Sequence, residues 1–147
     1  MTAKKSKQRK FFFAGSIRGG DKYASSYKDI LDYLRNYGEV ASEHLDKKTV
    51  VEKAGSSGDE DIYARDVRWI RESDVLIAEV SQPSIGVGYE IAYAEALGKP
   101  ILALYCLDAE KTISAMISGN PHITTLEYQS LDHLWPRLHE ELSVIFV

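Results

Sequence analysis

The sequence holds a single cysteine, Cys106, so no disulfide can form within the chain, and a reducing, cytoplasmic compartment is the expectation. No apolar run reaches the roughly 18 residues that a membrane helix needs. No hydrophobic stretch of a secretory leader precedes the first strand. Histidine is sparse, and His44, His122, His133 and His139 show no metal-ligand spacing, so no metal is expected. Positive charge is also in short supply: 18 Lys and Arg against 22 Asp and Glu leave a net charge of −4. That balance argues against a nucleic-acid polymer as partner, while leaving room for a local pocket that grips one phosphate. Neither a Walker A loop nor a G-x-G-x-x-G fingerprint is present, which argues against ATP hydrolysis and ordinary NAD binding, and no cofactor is expected. The one basic run, within residues 1–10, reads as a solvated tail, with a nuclear import signal as the alternative.

What is present is a strand–helix alternation over residues 11–147, enough for one domain. Phe11-Phe12-Phe13-Ala14 is a short apolar run ending at Gly15. Tyr23, Tyr27, Ile30, Leu31 and Leu34 recur at helical spacing, with Gly38 as the expected C-terminal stop. Glu39 to His44 reads as a weak second strand, and residues 47–59 as a polar loop. A helix is expected over 60–72, a strand over 74–80, a helix over 86–97 stopped by Gly98-Lys99-Pro100, and a strand over 101–105. A short helix near 112–118, a strand near 123–128 and a helix over 131–146 complete the chain. This pattern predicts an α/β, flavodoxin- or Rossmann-like three-layer sandwich on a five-stranded parallel sheet of order 2-1-3-4-5.

Such a sheet binds ligands beyond its C-terminal strand ends, at the switch point between the first and third strands. The two most unusual loops leave those strands. One is Gly15-Ser16-Ile17-Arg18-Gly19-Gly20-Asp21, whose glycines admit an anion close to backbone N–H groups and whose Arg18 can grip it bidentately. A plain strand-to-helix turn is the alternative. The other loop, from Ser81, leads into a helix N-terminus, where Ser84 either caps the helix or contacts phosphate and Gly86 opens the first turn. Glu90 follows on the apolar side of that helix, near Val87, Ala94 and Leu97, where dipole complementation is the plainer reading. Asp66 sits in the apolar stripe Ile62, Asp66, Trp69, Ile70, Ser73, either as a salt-bridge partner of Arg65 or Arg68 or as a carboxyl of raised pKa. Two carboxyls at one pocket, one ionised and one protonated, are the equipment for retaining glycosyl transfer. Tyr27 and Ile30, on the helix after the first loop, are candidates to wall a base.

The chain resembles the 2'-deoxynucleoside 5'-monophosphate N-hydrolases, relatives of the nucleoside 2-deoxyribosyltransferases. The residues that carry the resemblance are Gly15-Ser16-Ile17-Arg18-Gly19-Gly20, Asp66-x-x-Trp69, the string from Ala78 through Gln82-Pro83-Ser84-Ile85-Gly86-Val87-Gly88-Tyr89-Glu90, and Ser114-Ala115-Met116-Ile117. The resemblance implies Glu90 as nucleophile and Asp66 as general acid. It implies phosphate and sugar contacts from Gly15 to Gly20, Ser84 and Gly86, and a homodimer in which Ser114 reaches the neighbouring subunit's phosphate. It also brings His44 near the base. One position departs: the family has a tyrosine three residues before the first loop glycine, where this chain has Phe12, and Tyr89 is a candidate to compensate. A transferase that passes the sugar to another base, and a non-catalytic nucleotide sensor, are the alternatives to hydrolysis.

Overall fold

The computed structural model describes residues 8–17, 22–45 and 57–147. Five strands, β1 (Lys10–Gly15), β2 (Glu39–Ala41), β3 (Val75–Glu79), β4 (Ile101–Cys106) and β5 (Ile123–Tyr128), form one sheet of order β2-β1-β3-β4-β5. Every neighbouring pair is parallel, as the sequence predicts. Five helices cover it: α1 (Ala24–Arg35), α2 (Ser57–Glu72), α3 (Ile85–Ala96), α4 (Ala115–Ser118) and α5 (Leu131–Ile145), with a single 3-10 turn over Glu43–Leu45.

The central strands are apolar throughout because both faces are covered. Phe11, Phe13, Val75 and Ile77 point into one core layer with Ile30, Leu31 and Leu34 of α1 and Leu134, Leu138 and Leu142 of α5. Phe12, Ala14, Leu76 and Ala78 point into the other, against Ile70 of α2 and Val87, Ile91 and Ala94 of α3. The strand register Gly15↔Glu79 brings the ends of β1 and β3 level, so the loops that follow them open side by side.

Two boundaries differ from the sequence reading for physical reasons. Strand β2 stops at Ala41 instead of running to His44, because Ser42 begins the 3-10 turn: its side chain accepts from the His44 N–H at 3.2 Å. Strand β1 begins at Lys10, whose N–H donates to Asp74 at 2.9 Å, and the Arg9 guanidinium lies 4.5 Å from the Phe146 ring centre. The last two residues of the basic run therefore pack on the fold, while residues 1–7 lie outside the described part.

The two glycines expected to stop helices do so differently. Gly98, at φ 70°, follows the Leu97 cap of α3. Its N–H reaches Glu95 O, and that of Lys99 reaches Ala94 O, the paired bonds of a left-handed helix stop. Gly38 is not a left-handed cap. Helix α1 is capped by Asn36, and a Cβ on Gly38 would stand 2.3 Å from the Arg9 carbonyl oxygen. Glycine is needed here because the backbone entering β1 passes over it. Gly38→Ala is expected to lower stability by about 1–3 kcal/mol, the range for overpacking a site that cannot relax. Gly98→Ala strains one backbone dihedral and should cost less, about 1 kcal/mol. Chemical denaturation of both variants checks the order.

Candidate functional site

Three elements bring three carboxyl groups to the C-terminal edge of the sheet. Asp66 comes from α2, Glu90 from α3 and Glu43 from the 3-10 turn after β2, and one oxygen of each lies within 4.8 Å of the others. Asp66 is buried because its helix face also carries Ile70 and Ser73 into the sheet. Glu90 follows Val87 on the inward side of α3, and its Oε2 is buried without a hydrogen-bond partner. Among the described residues, Arg65 supplies the cation: its Nε donates to Asp66 Oδ1 at 3.1 Å, and its Nη2 lies 3.9 Å from Glu43 Oε1. The guanidinium also stacks 4.6 Å from the Trp69 ring centre, one helical turn on, which fixes its plane.

One guanidinium cannot neutralise three carboxylates in a site largely shut off from water. Burial, then the hydrogen bond and charge of Glu43, raise the Asp66 carboxyl, with Arg65 pulling the other way. Burial, then the charges of Asp66 and Glu43, push Glu90 up to about 9. Both shifts favour the protonated form in the empty site, whereas the sequence reading expected one ionised and one protonated acid. Among the described residues, these three carboxyls are the group of Asp, Glu, His and Cys side chains close enough to share a cation. An ion there would compete with Arg65, which already lies against two of them.

The loop after β1 is held from below. The ring N–H of His44 at Nε2 donates to the Gly15 carbonyl at 2.8 Å, and the ring meets Tyr27 edge-on with centres 4.8 Å apart. The Tyr27 hydroxyl is hydrogen-bonded to the Ser16 backbone, and burial raises its pKa. His44 thus supports the loop through Gly15. Gly15, Ser16 and Ile17 are in place at the end of β1, whereas Arg18, Gly19, Gly20 and Asp21 lie outside the described residues. Across the switch point, Ser84 caps α3, its Oγ accepting from the Val87 N–H at 3.3 Å, with Gly86 exposed in the first turn.

The structure does not bring every expected residue together. Ile30 has 0% exposure and packs inside the core between α1 and the sheet, so it cannot wall a base. Tyr89, the candidate to compensate for the hydroxyl that Phe12 lacks, is exposed and meets Tyr63 of α2 edge-on at 6.4 Å. Phe12 itself is fully buried. Ser114 caps α4, its Oγ accepting from Met116 N at 3.2 Å. With Met116 it lines a groove of about 1260 Å³ between α3 and α4, together with Ser84, Ile85 and Gly88. Ala115 is exposed beside it.

Two features escaped the sequence reading. Glu43 is one; its signal was its place in the turn beyond a strand's C-terminal end, next to His44. The other is Glu79, with 0% exposure at the C-terminal end of an apolar strand. Its Oε1 accepts from Ser81 N at 2.6 Å and its Oε2 from the Tyr128 hydroxyl, while Ser81 Oγ accepts from Cys106 N at 2.8 Å. This network ties the start of the β3–α3 loop to β4 and β5.

The nucleoside 2-deoxyribosyltransferase family profile matches residues 11–128. A protein of Syntrophotalea carbinolica, provisionally named 2'-deoxynucleoside 5'-phosphate N-hydrolase 1, is 58% identical over 134 residues, 91% of this chain and 94% of that one. The mouse 5-hydroxymethyl-dUMP N-hydrolase is 46% identical over 110 residues, covering 74% of this chain and 64% of its own length. Among solved structures, a CMP N-glycosidase of Clostridium botulinum superposes with a TM-score of 0.63 at 19% identity, over 89% of this chain and 99% of that one. At that identity the likeness concerns the fold alone.

The raised carboxyls fix how stability depends on pH. Glu90 moves from 4.5 in the unfolded chain to about 9 in the folded one. Between those values the folded state binds more protons, so this group's contribution to stability falls as pH rises. At pH 8, Glu90→Gln should therefore raise the melting temperature by on the order of 3 °C. Near pH 4 the difference should disappear. A wild-type melting temperature that rises from pH 5 to 8 relative to the Gln variant would contradict the assignment.

Proposed function

This chain belongs to the nucleoside 2-deoxyribosyltransferase family, and we propose that it hydrolyses the N-glycosidic bond of nucleoside 5'-monophosphates, 2'-deoxy ones first, to free base and sugar 5-phosphate. The observation that carries this reading is the grouping of Glu90 and Asp66 within 4.8 Å at the switch point, beside two loops suited to an anion. The names of the relatives from Syntrophotalea and mouse support the same activity and make 5-hydroxymethyl-dUMP a substrate to test.

The spacing suits a retaining path. Retaining glycosidases hold their two carboxyls about 5 Å apart, and inverting ones about 6.5–9.5 Å, to admit a water between. Glu90 bonds to the anomeric carbon as the bond to the base nitrogen breaks, and Asp66 protonates the departing base. The proton that Glu90 carries in the empty site passes into the carboxyl cluster, so Asp66 is replenished as Glu90 becomes the nucleophile. Water then attacks the anomeric carbon, the Glu90 ester bond breaks, and the water's second proton returns to the cluster. One proton leaves on the base and one arrives with water.

The phosphate is assigned to the Gly15–Ser16–Ile17 end of the first loop and to the first turn of α3 at Ser84 and Gly86, where N–H groups lack helical partners. Arg18, Gly19, Gly20 and Asp21 are assigned to the same anion from the sequence. Phe12, without a hydroxyl, removes one means of distinguishing deoxyribose from ribose. A homodimer completed by Ser114 is part of this reading. Its support is the groove between α3 and α4, whose rim exposes Ile85 at 95% and Met116 at 81%, a combination that marks contact surfaces.

Incubation with a panel of deoxy- and ribonucleoside monophosphates, with base release followed by chromatography, tests the activity. Glu90→Ala should reduce release by at least about 10³-fold, the loss typical of a removed nucleophile, while nucleotide binding stays measurable. Swapped-base product without free sugar phosphate, when a free base is added, overturns hydrolysis in favour of transfer. Wild-type protein that binds nucleotide but releases no base leaves the sensor reading. Replacing both Ile85 and Met116 by Glu should yield a monomer with base release down about 10-fold or more. A monomeric, active wild type would end the dimer assignment; sedimentation distinguishes the two.

A further inference from the structure

The geometry points to Glu43 as a positioning residue of the reaction, one that acts through Asp66 and keeps it turned and protonated for donation to the leaving base. This rests on the hydrolase reading above. Glu43 is neither a family-resemblance residue nor part of the apolar stripe that carries Asp66. Its 3-10 turn nonetheless sets its carboxyl within 4.8 Å of both Asp66 and Glu90. Its side chain is hydrogen-bonded to Asp66, and its Oε1 lies 3.9 Å from the guanidinium that holds Asp66 from the other side. Asp66 is thus clamped between an acceptor and a cation, with its remaining face toward Glu90. The side-chain exposures, 22% for Glu43 and 8% for Asp66, put Glu43 on the rim and Asp66 beneath it.

Among the described residues, charged groups reach Asp66 from three elements. From its own helix comes Arg65, from α3 Glu90, and from the 3-10 turn Glu43. The next residue, His44, turns its Nε2 to the Gly15 carbonyl. Arg65 favours the ionised form of Asp66, and Glu43 opposes it through both its hydrogen bond and its charge. Removing the charge of Glu43 leaves Arg65 less opposed, so Asp66 loses its proton at lower pH. An acid that has lost its proton cannot protonate a base, and catalysis falls on the alkaline side first.

Three variants and two leaving groups test this. In Glu43→Gln, the alkaline limb of the kcat profile should move down by about one pH unit. At pH 8.5, kcat should drop about 10-fold or more while KM changes less than about 3-fold. Glu43→Asp should restore much of the limb. With a p-nitrophenyl 2-deoxyriboside 5-phosphate, whose leaving group needs no proton, Glu43→Gln should stay within about 3-fold of wild type. Glu90→Ala should be inactive on both substrates. A Gln variant that loses the same factor at every pH and on both substrates, or whose profile overlays the wild type, overturns the role of Glu43 and leaves the hydrolase reading standing. If wild type cleaves neither substrate, the hydrolase reading itself fails. Should Glu43→Gln not fold, the Asp66 side-chain carboxyl titration by NMR in wild type against Glu43→Ala decides. Identical titrations in the two proteins overturn the coupling, and a lower Asp66 midpoint with the shorter side chain supports it.

Discussion

Among the described residues, three carboxyl groups share one guanidinium at the sheet's C-terminal edge, where only part of their charge is satisfied, and most features of the site follow from that. Burial raises Asp66 and Glu90. Within 4.8 Å of one another, Glu43 raises Asp66 further, Asp66 and Glu43 raise Glu90 further, and Arg65 pulls both the other way. The result is a protein that holds protons on Asp66 and Glu90 where free carboxyls would have lost them. Such an arrangement costs stability and is tolerated where chemistry needs the protons. In the proposed reaction, an isolated nucleophile would do better ionised, whereas one that shares a proton pool with its general acid could begin protonated, because the proton count is the same at the end.

The scaffold spends little chain on this. The turn Glu43–Leu45 serves both halves of the site, with Glu43 reaching the acids and His44 bracing the Gly15 carbonyl. On the opposite face of the sheet, Glu79 fastens the outgoing β3–α3 loop through Ser81 to Cys106 and Tyr128. Glu79 is a buried acid of a different kind. Burial raises it, but the Tyr128 hydroxyl and the Ser81 N–H lower it by donating to its oxygens. Glu90 Oε2 has no such donor. The contrast separates a carboxylate satisfied for structural reasons from one left without a partner at a reacting edge.

Where a residue's role is set by its own element, the sequence discloses it. Strand β4 lies on the apolar run that begins at Ile101, α3 starts at the Ser84 cap and stops at Gly98, and Asp66 stands out because a carboxyl interrupts an apolar stripe. The switch-point rule then places the loops after β1 and β3 together without any contact being known. What stayed hidden is tertiary. Nothing local marks Glu43 as a neighbour of Asp66, 23 positions away, since their approach depends on how the turn after β2 leans over α2. Gly38 looks like a helix stop and is a backbone crossing, because the chain it touches, at Arg9, is distant in sequence. Ile30 follows the anion loop in sequence, yet helical phase turns it into the core.

The proton count also bears on the proposed phosphate-ester substrate. With protons on Asp66 and Glu90, the described part of the cluster carries less negative charge than three ionised acids would. A phosphate dianion can then settle on the neighbouring helix terminus without facing the repulsion of three carboxylates. Its own field discourages those acids from ionising, which keeps the proton available until the base departs. In the proposed glycosyl transfer, the negative charge released by the breaking bond would be met by that proton, and Glu90 would become a neutral ester. At no stage must the site hold more negative charge than it began with. An anionic substrate and protonated acids thus support each other, and a site with an ionised nucleophile from the outset would lack that compatibility.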